Sequence, residues 1–201
     1  MDDRVAQVLE LYHERLQAER EERNAGIHRP NSERFLAVGR RTGQLISILA
    51  RVLDKPTILE LGTSYGYSTI WLAEAARTAG GRLVTMELEP QKIAFARDMA
   101  ERAGLADYVD FRHGDALDLI GRMDDGIDFV LMDLWKDLYV PCLEAVLPKL
   151  NPGAIIVADN MRIPGGEDAR KYQQAVRAIP HMLSVPLPVG TGLEVSRYLP
   201  A

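Results

Sequence analysis

The spacing of apolar residues along the chain changes near Pro56. Before it, apolar residues recur every three or four positions, as in the series that begins with Val5, Val8 and Leu9, which is typical of amphipathic helices. We predict helices over 2–24, 32–38 and 42–53. After Pro56, short apolar runs alternate with amphipathic stretches, a pattern typical of an α/β fold with a doubly wound parallel sheet.

The α/β part divides into parallel strands, helices and a terminal pair of strands. The parallel strands are expected at 57–62, 82–88, 107–113, 126–133 and 153–159. The helices are expected at 66–79, 90–103, 115–123, 138–150 and 166–179. The segments 181–189 and 192–199 should pair antiparallel at one edge of the sheet, joined by a short turn. We therefore expect one domain, 1–201, in which a helical layer (1–55) packs on a seven-stranded, mostly parallel core (57–201).

Composition and charge are those of a soluble globular protein. The chain has 201 residues, of which 47% are hydrophobic and 26% charged, and a net charge of −5. No apolar run approaches the roughly 18 residues of a membrane span, and the N-terminus lacks a signal-peptide pattern. The single cysteine, Cys142, cannot form an internal disulfide, which favours a cytoplasmic location. The negative charge makes nucleic acid or anionic membrane an unlikely partner.

A glycine loop follows the first predicted strand. Residues 59–68 read LELGTSYGYS, so Gly62 and Gly66 allow a tight turn and a close approach to a ligand. The spacing matches neither a dinucleotide-binding fingerprint nor a P-loop. Glu60, just before the first glycine, would oppose a pyrophosphate but tolerate a ligand that carries an amino group.

Acidic residues follow the next two strands in an informative order. Glu87 ends the second strand, where a carboxylate can accept both hydroxyls of a ribose, although it could instead cap the helix that begins at Pro90. Asp115 lies in a loop after the third strand, where it could meet an adenine. The order of these features favours S-adenosylmethionine over a nicotinamide cofactor: a glycine loop, then an acidic residue that can bind a ribose, then a loop that contains Asp115.

Two further strands end in potential metal ligands. Asp133 follows the apolar run 127–132, and Asp159 and Asn160 follow the run 154–158. Because adjacent parallel strands end at the same edge of a sheet, these side chains can converge. Two carboxylates and an amide oxygen are hard ligands that suit Mg²⁺, or another divalent cation such as Mn²⁺ or Ca²⁺. The alternative is that both are ordinary capping loops.

These motifs together resemble the class I methyltransferases, and among them the metal-dependent catechol and caffeoyl-CoA O-methyltransferase family, with the catechol branch closest. The resemblance runs from about Val38 to Tyr198. Its motifs are 59–62 (LELG), 66–68 (GYS), 85–87 (TME), 133–139 (DLWKDLY), 158–160 (ADN) and 192–194 (GLE). The resemblance implies a Rossmann-like methyltransferase fold and a small aromatic substrate with vicinal hydroxyls.

The resemblance also implies residue roles. The cofactor would be surrounded by Val38, Glu60, Gly62, Thr63, Ser68, Glu87, Asp115, Ala116 and Trp135. The metal would be bound by Asp133, Asp159 and Asn160. The general base would be Lys136, and Glu194 would accept a hydrogen bond from the second substrate hydroxyl. The substrate would contact Trp135, Lys136, Asn160, Pro164, Leu193 and Glu194.

Lys136 is the centre of the mechanism that we predict. A phenol has a pKa of about 10 and is a poor nucleophile at neutral pH. Chelation of two vicinal oxygens by Mg²⁺ would lower the pKa of one hydroxyl, and Lys136, close to the same cation, could then take the proton. The alternative is that Lys136 is an ordinary surface lysine. Tyr139 has no assigned role.

Substrate and partners are open at this stage. Arg34 stands where the animal catechol enzyme has a tryptophan, and an arginine there could recruit an anionic tail. One alternative function is methylation of a hydroxylated uridine in tRNA, with Arg29, Arg34, Arg40 and Arg41 contacting phosphates. Another is a non-catalytic cofactor-binding protein, which would not need the metal ligands. A homodimer through the first helix is also conceivable.

Overall fold

The strands predicted after Pro56 all lie in one sheet. The computed structural model describes residues 2–27, 30 and 33–200. The helices are α1 (Asp3–Asn24), α2 (Arg40–Arg51), α3 (Tyr67–Ala79), α4 (Pro90–Arg102), α5 (Ala116–Gly121), α6 (Tyr139–Val146) and α7 (Glu167–Ala178). The strands are β1 (Thr57–Leu61), β2 (Arg82–Glu87), β3 (Val109–His113), β4 (Ile127–Met132), β5 (Leu150–Ala158), β6 (Met182–Leu187) and β7 (Leu193–Tyr198).

The order of the strands confirms the predicted doubly wound topology. Within the described ranges the seven strands run β3-β2-β1-β4-β5-β7-β6. Strands β1 to β5 are parallel, and β7 pairs antiparallel with both β5 and β6. The register places Leu61 beside Met86 and Met132, and Met132 beside Ala158. The carboxyl ends of β1, β2, β4 and β5 therefore lie at the same level.

Helices cover the sheet on both faces, as its buried parallel strands require. On one face, side chains such as Ile58, Phe129 and Val157 pack against α1 to α4. On the other face, residues such as Leu59 and Val130 pack against α5 to α7. Within the part of the chain that the structure describes, no helix has both the length and the apolar character needed to cross a bilayer.

The helix predicted over 32–38 is wrong from Arg34 onward. Residues 35–38 have no helical structure, and Ser32 lies outside the described residues. The Phe35 amide donates to the Glu19 carboxylate at 3.2 Å, and the Phe35 ring stacks on Tyr65 at 4.3 Å. Gly39 then adopts a φ of 80° immediately before α2. Phe35 thus contacts α1 and the glycine loop, which are separate parts of the fold. The spacing of apolar residues in this segment is the same as in a helix, so it did not reveal these contacts.

Candidate active site

The candidate residues lie at the edge of the sheet where the parallel strands end. Gly62 follows β1, Asp133 follows β4 and Asp159 follows β5. The amide of Asp133 donates to the carbonyl of Leu61 at 2.9 Å, and the amide of Asp159 donates to that of Met132 at 3.0 Å. The sheet hydrogen bonds thus extend one residue past the strands and bring these positions side by side.

The glycine loop (residues 62–66) packs directly on the end of β4. Gly62 has a φ of 96°, and a Cβ there would overlap the carbonyl oxygen of Asp133. Gly66 has a φ of 89°, and a Cβ there would lie 2.7 Å from the Ala96 Cβ. Only glycine meets both the conformational and the steric requirement at these positions. The loop and Asp133 therefore hold each other in place.

A shallow, open cleft lies above the glycine loop. It is lined by Phe35, Leu36, Ala37, Gly62, Thr63, Ser64, Tyr65, Tyr67 and Ser68. Gly62, Thr63 and Ser68 were expected around the cofactor. The wall formed by residues 35–37 was missed, because that segment was predicted to be helical. The aromatic Phe35 in a stretch followed by Gly39 was the available signal for an extended segment.

Glu60 is a buried carboxyl group beneath this cleft. Its side chain is fully buried, and Oε2 accepts hydrogen bonds from the hydroxyls of Thr69 and Thr85, each at 2.6 Å. Oε1 has no hydrogen-bond partner among the described residues. Burial raises the pKa of Glu60 to about 7, because removal from water disfavours the charged form more than the hydroxyls favour it. A cationic group placed against Oε1 would restore the carboxylate.

Glu87 and Asp115 already hold parts of the backbone. Oε2 of Glu87 accepts from the amide of Ser64 at 2.8 Å, so this side chain fastens the glycine loop to the end of β2. The N-cap residue of α4 is Glu89, not Glu87. Asp115 is the N-cap of α5, where its carboxylate accepts from two amides of the first turn, which begins at Ala116.

Asp133 and Asp159 form what we call the acidic pair. Asn160 donates from Nδ2 to Oδ1 of Asp133 at 2.7 Å, and the Thr191 hydroxyl donates to Oδ1 of Asp159 at 2.8 Å. Oδ2 of Asp159 is buried and has no hydrogen-bond partner among the described residues. Burial raises the pKa of both carboxyl groups, and the charge of Asp159 raises that of Asp133 further.

The acidic pair has the chemistry of a divalent-cation site. Two carboxyl groups that resist ionising together, one with an unpartnered oxygen, would be stabilised by a positive charge between them. Asn160 contacts Asp133 through Nδ2, and its amide oxygen would supply a third hard ligand. Within the described residues, no group of three or more His, Cys, Asp or Glu side chains is arranged to hold a metal. The candidate set consists of two carboxylates and one amide, and the residues present fit Mg²⁺.

Lys136 lies beside the acidic pair in a half-buried position. Its Nζ donates to the hydroxyl of Tyr139 at 3.1 Å and lies 4.5 Å from the centre of the Tyr139 ring. Burial lowers the pKa of Lys136, and the carboxylates of Asp133 and Asp159 only partly oppose this effect. The neutral amine is therefore easier to form here than in water. Sequence reasoning left Tyr139 without a role, yet it is the partner of Lys136.

Apolar surface flanks the acidic pair on its exposed side. Trp135, between Asp133 and Lys136, is 64% exposed. Pro164 is exposed in the turn after Asn160 and follows a cis peptide bond. Both residues offer flat apolar surface at this edge of the sheet.

Glu194, Leu193 and Val38, which were predicted to contact substrate or cofactor, are buried. Glu194 is fully buried, and its two oxygens accept from Arg177 at 2.8 and 2.9 Å, from Gln173 and from Ser184. Leu193 is fully buried and Val38 is 3% exposed, and both lie in the core on the α1–α4 face of the sheet. A substrate hydroxyl would have to displace an ion pair to reach Glu194, and Leu193 has no surface to form a wall.

Comparison with known proteins gives consistent matches. The model of a family described as O-methyltransferase matches residues 12–185. The catechol O-methyltransferase of Niastella koreensis is 37% identical over 130 residues, which are 63% of this chain and 58% of that protein. The catechol O-methyltransferase of Mycobacterium tuberculosis is 37% identical over 132 residues, which are 65% of this chain and 60% of that protein. The match thus spans about three fifths of the length of these relatives.

A solved structure extends the match over the whole chain. The O-methyltransferase TomG from Streptomyces achromogenes, involved in tomaymycin synthesis and determined in complex with SAM, is 27% identical with a TM-score of 0.78. The superposition covers 100% of this chain and 91% of that chain.

Replacing Glu60 with Gln should remove a pH dependence of stability. The pKa of Glu60 is raised to about 7 in the folded chain, whereas an exposed glutamate has a pKa of about 4.3. Between these values the folded state keeps a proton that the unfolded state has released, so stability falls as the pH rises. Relative to Glu60→Gln, the free energy of unfolding of the unmodified protein should fall by up to about 3 kcal/mol. Urea denaturation of both proteins across this interval measures it, and a pH-independent difference would contradict the assignment.

Gly62→Ala should destabilise the protein more than a matched glycine substitution. Gly80 also has a positive φ, 72°, but the nearest atom to a Cβ there is 3.6 Å away. Gly80→Ala should cost about 1 kcal/mol for the left-handed backbone alone. Gly62→Ala must in addition separate the glycine loop from Asp133 and should cost at least about 2 kcal/mol more. Urea denaturation of both variants tests this, and equal losses would show that the close contact is unimportant.

Proposed function

Because the chain belongs to the O-methyltransferase family, we propose that it transfers a methyl group from S-adenosylmethionine to one hydroxyl of a catechol-type small molecule, with Mg²⁺ at the acidic pair. The observation that carries this proposal is the placement of Lys136. Its half-buried amine lies beside two carboxyl groups of raised pKa, at the same edge of the sheet as the glycine-loop cleft. A base, a cation site and a cofactor cleft are the parts that such a transfer needs.

Residues around the glycine loop would hold the cofactor. The structurally similar TomG was determined in complex with SAM. Gly62 allows close approach of the backbone, and Thr63 and Ser68 line the cleft. The unpartnered Oε1 of Glu60 is suited to a cationic group, and S-adenosylmethionine carries an amino group and a sulfonium. Glu87 is half-buried at the end of β2, where a free lone pair on its carboxylate can accept a ribose hydroxyl.

Asp133, Asp159 and Asn160 would hold the divalent cation. Mg²⁺ bound there would lower the pKa of a coordinated hydroxyl and fix a ring that carries two vicinal oxygens. Its charge would also offset the repulsion within the acidic pair. The relatives from Niastella koreensis and Mycobacterium tuberculosis are named catechol O-methyltransferases, which supports a substrate with vicinal hydroxyls.

The chain itself contributes a base and an apolar platform. Lys136 in its neutral form accepts the proton of the reacting hydroxyl, so that the oxygen can form the new bond to the methyl carbon as the bond from that carbon to sulfur breaks. Trp135 and Pro164 provide surface for the aromatic ring. Glu194 is part of the ion pair with Arg177 and has no substrate contact in this proposal.

Methyl transfer should depend on vicinal hydroxyls and on a divalent cation. A catechol, a matched monophenol and tRNA would be incubated with radiolabelled S-adenosylmethionine, with Mg²⁺ or with EDTA. Only the catechol should be methylated, and EDTA should lower its rate by two or more orders of magnitude, since a Lewis acid is worth several kcal/mol. EDTA-insensitive methylation of the monophenol would exclude the chelated substrate. Salt-sensitive methylation of tRNA without catechol turnover would favour the nucleic-acid alternative, although Arg29 lies outside the described residues.

Lys136→Ala should abolish most of the turnover while leaving cofactor binding intact. Loss of a general base typically costs about two to four orders of magnitude in rate. Because the pKa of Lys136 is lowered from 10.5 and the base must be neutral, kcat should rise with pH and level off below that ordinary value.

Lys171→Ala is the matched control for Lys136. Lys171 is an exposed lysine on α7 that pairs with Glu167 at 3.1 Å and Asp168 at 3.2 Å, and its loss should leave kcat unchanged. The binding constant for S-adenosylmethionine, measured by calorimetry, should be similar in all three proteins. Full activity of Lys136→Ala would exclude it as the base.

A further inference from the structure

Tyr139 lies where the two acidic strand ends meet. It is the first residue of α6 and is fully buried, with its ring packed edge-on against Tyr172 at a centroid distance of 5.5 Å. Its hydroxyl oxygen lies 3.0 Å from the carbonyl oxygen of Met132 and 3.2 Å from that of Asp159. These carbonyls belong to the end of β4 and to the residue that follows β5. The phenol is thus anchored to the two backbones that carry the acidic pair.

The hydrogen-bond chemistry of this phenol has one solution. A tyrosine hydroxyl has a single hydrogen, and both carbonyl oxygens can only accept, so that hydrogen is donated to one of them. The phenolic oxygen is then available only as an acceptor. Nζ of Lys136, at 3.1 Å, is therefore a donor to that oxygen, and the side chain of Asn160 also hydrogen-bonds to it. Reversal of this bond would leave both carbonyls without the hydroxyl proton.

This direction determines what the amine of Lys136 can do. A neutral amine has two hydrogens and one lone pair, and one hydrogen is held by the Tyr139 oxygen. The lone pair cannot face that oxygen, because the oxygen has no hydrogen to offer. It is therefore left for a proton that arrives from another direction, such as a substrate hydroxyl beside the acidic pair.

We propose that Tyr139 is a positioning residue that orients the lone pair of Lys136 for proton abstraction. This inference rests on the proposed function, since it assigns Lys136 as the base. Tyr139 does not touch the substrate. It acts through Lys136, and it ties the direction of the amine to the same strand ends that position Asp133 and Asp159.

A double-mutant cycle separates this role from a contribution to folding. Tyr139→Phe keeps the ring and removes only the hydroxyl. It should lower kcat on the order of tenfold or more and change KM and cofactor binding by less than about twofold, because a misdirected base affects the chemical step. In a Lys136→Ala background the same substitution should have no further effect on kcat, because the partner through which it acts is gone.

Tyr172→Phe is the matched control. The Tyr172 hydroxyl is also buried, and it has no hydrogen-bond partner among the described residues. Its removal should leave kcat unchanged in both backgrounds. An equal loss of kcat from Tyr139→Phe with and without Lys136 would overturn the proposal, as would unchanged kcat in the Tyr139→Phe single variant.

An observation that does not require activity keeps this test distinct from that of the proposed function. In protein labelled with ¹³C-lysine, the Lys136 Hε–Cε signal is the one missing from Lys136→Ala. It should move in Tyr139→Phe and move far less in Tyr172→Phe. An unmoved signal would overturn the positioning role even if catechols are methylated. If the unmodified protein does not methylate catechols although the Lys136 signal moves in Tyr139→Phe, the proposed function is overturned. The role of Lys136 as the base is then overturned with it.

Discussion

The burial of two carboxyl groups at neighbouring strand ends is the constraint on which the candidate site depends. Asp133 and Asp159 follow adjacent parallel strands, and the hydrogen bonds of the sheet leave their backbones no freedom to separate. Burial raises the pKa of both carboxyl groups, and the charge of Asp159 raises the pKa of Asp133 further. The donors around them, from Asn160 and Thr191, lessen this rise without removing it. Asn160 and Thr191 thus point their donors at two carboxyl groups that are difficult to ionise.

The cofactor side of the site is mechanically joined to the acidic side. Gly62 lies against the carbonyl of Asp133 so closely that no side chain fits between them. The amide of Ser64, in the same loop, is held by the carboxylate of Glu87. The glycine loop is therefore fixed at both flanks by the strand ends that border β1. A displacement of the loop would therefore shift Asp133, and a displacement of Asp133 would shift the loop.

The sequence predicts the placement of residues at strand ends well, and it predicts poorly the placement that depends on contacts between distant segments. Apolar runs followed by Asp133 and by Asp159-Asn160 predicted the strands, their parallel order and the side-by-side placement of these residues. The resemblance of the glycine loop and its neighbours to O-methyltransferases was confirmed by the family match. Residues 35–37 were predicted to be helical, because their spacing does not reveal that Glu19 and Tyr65 hold them. Glu194 looked like a substrate contact, and only the fold shows Arg177 against it. Tyr139 was left without a role, because the two carbonyls beside its hydroxyl, at the ends of β4 and β5, meet only in the fold.

The geometry of the acidic pair depends on a residue that comes much later in the chain, Thr191 in the turn between β6 and β7. Thr191 orients the carboxylate of Asp159 across 32 positions of sequence, and β7 lies between β5 and the edge strand β6. A chain that ended after β6 would contain both members of the acidic pair and the whole lining of the glycine-loop cleft. It would nevertheless lack the hydroxyl that orients Asp159 and the strand that covers the outer side of β5. During synthesis the carboxylate thus emerges well before the residue that directs it, so the geometry of the site is completed only when the hairpin has closed.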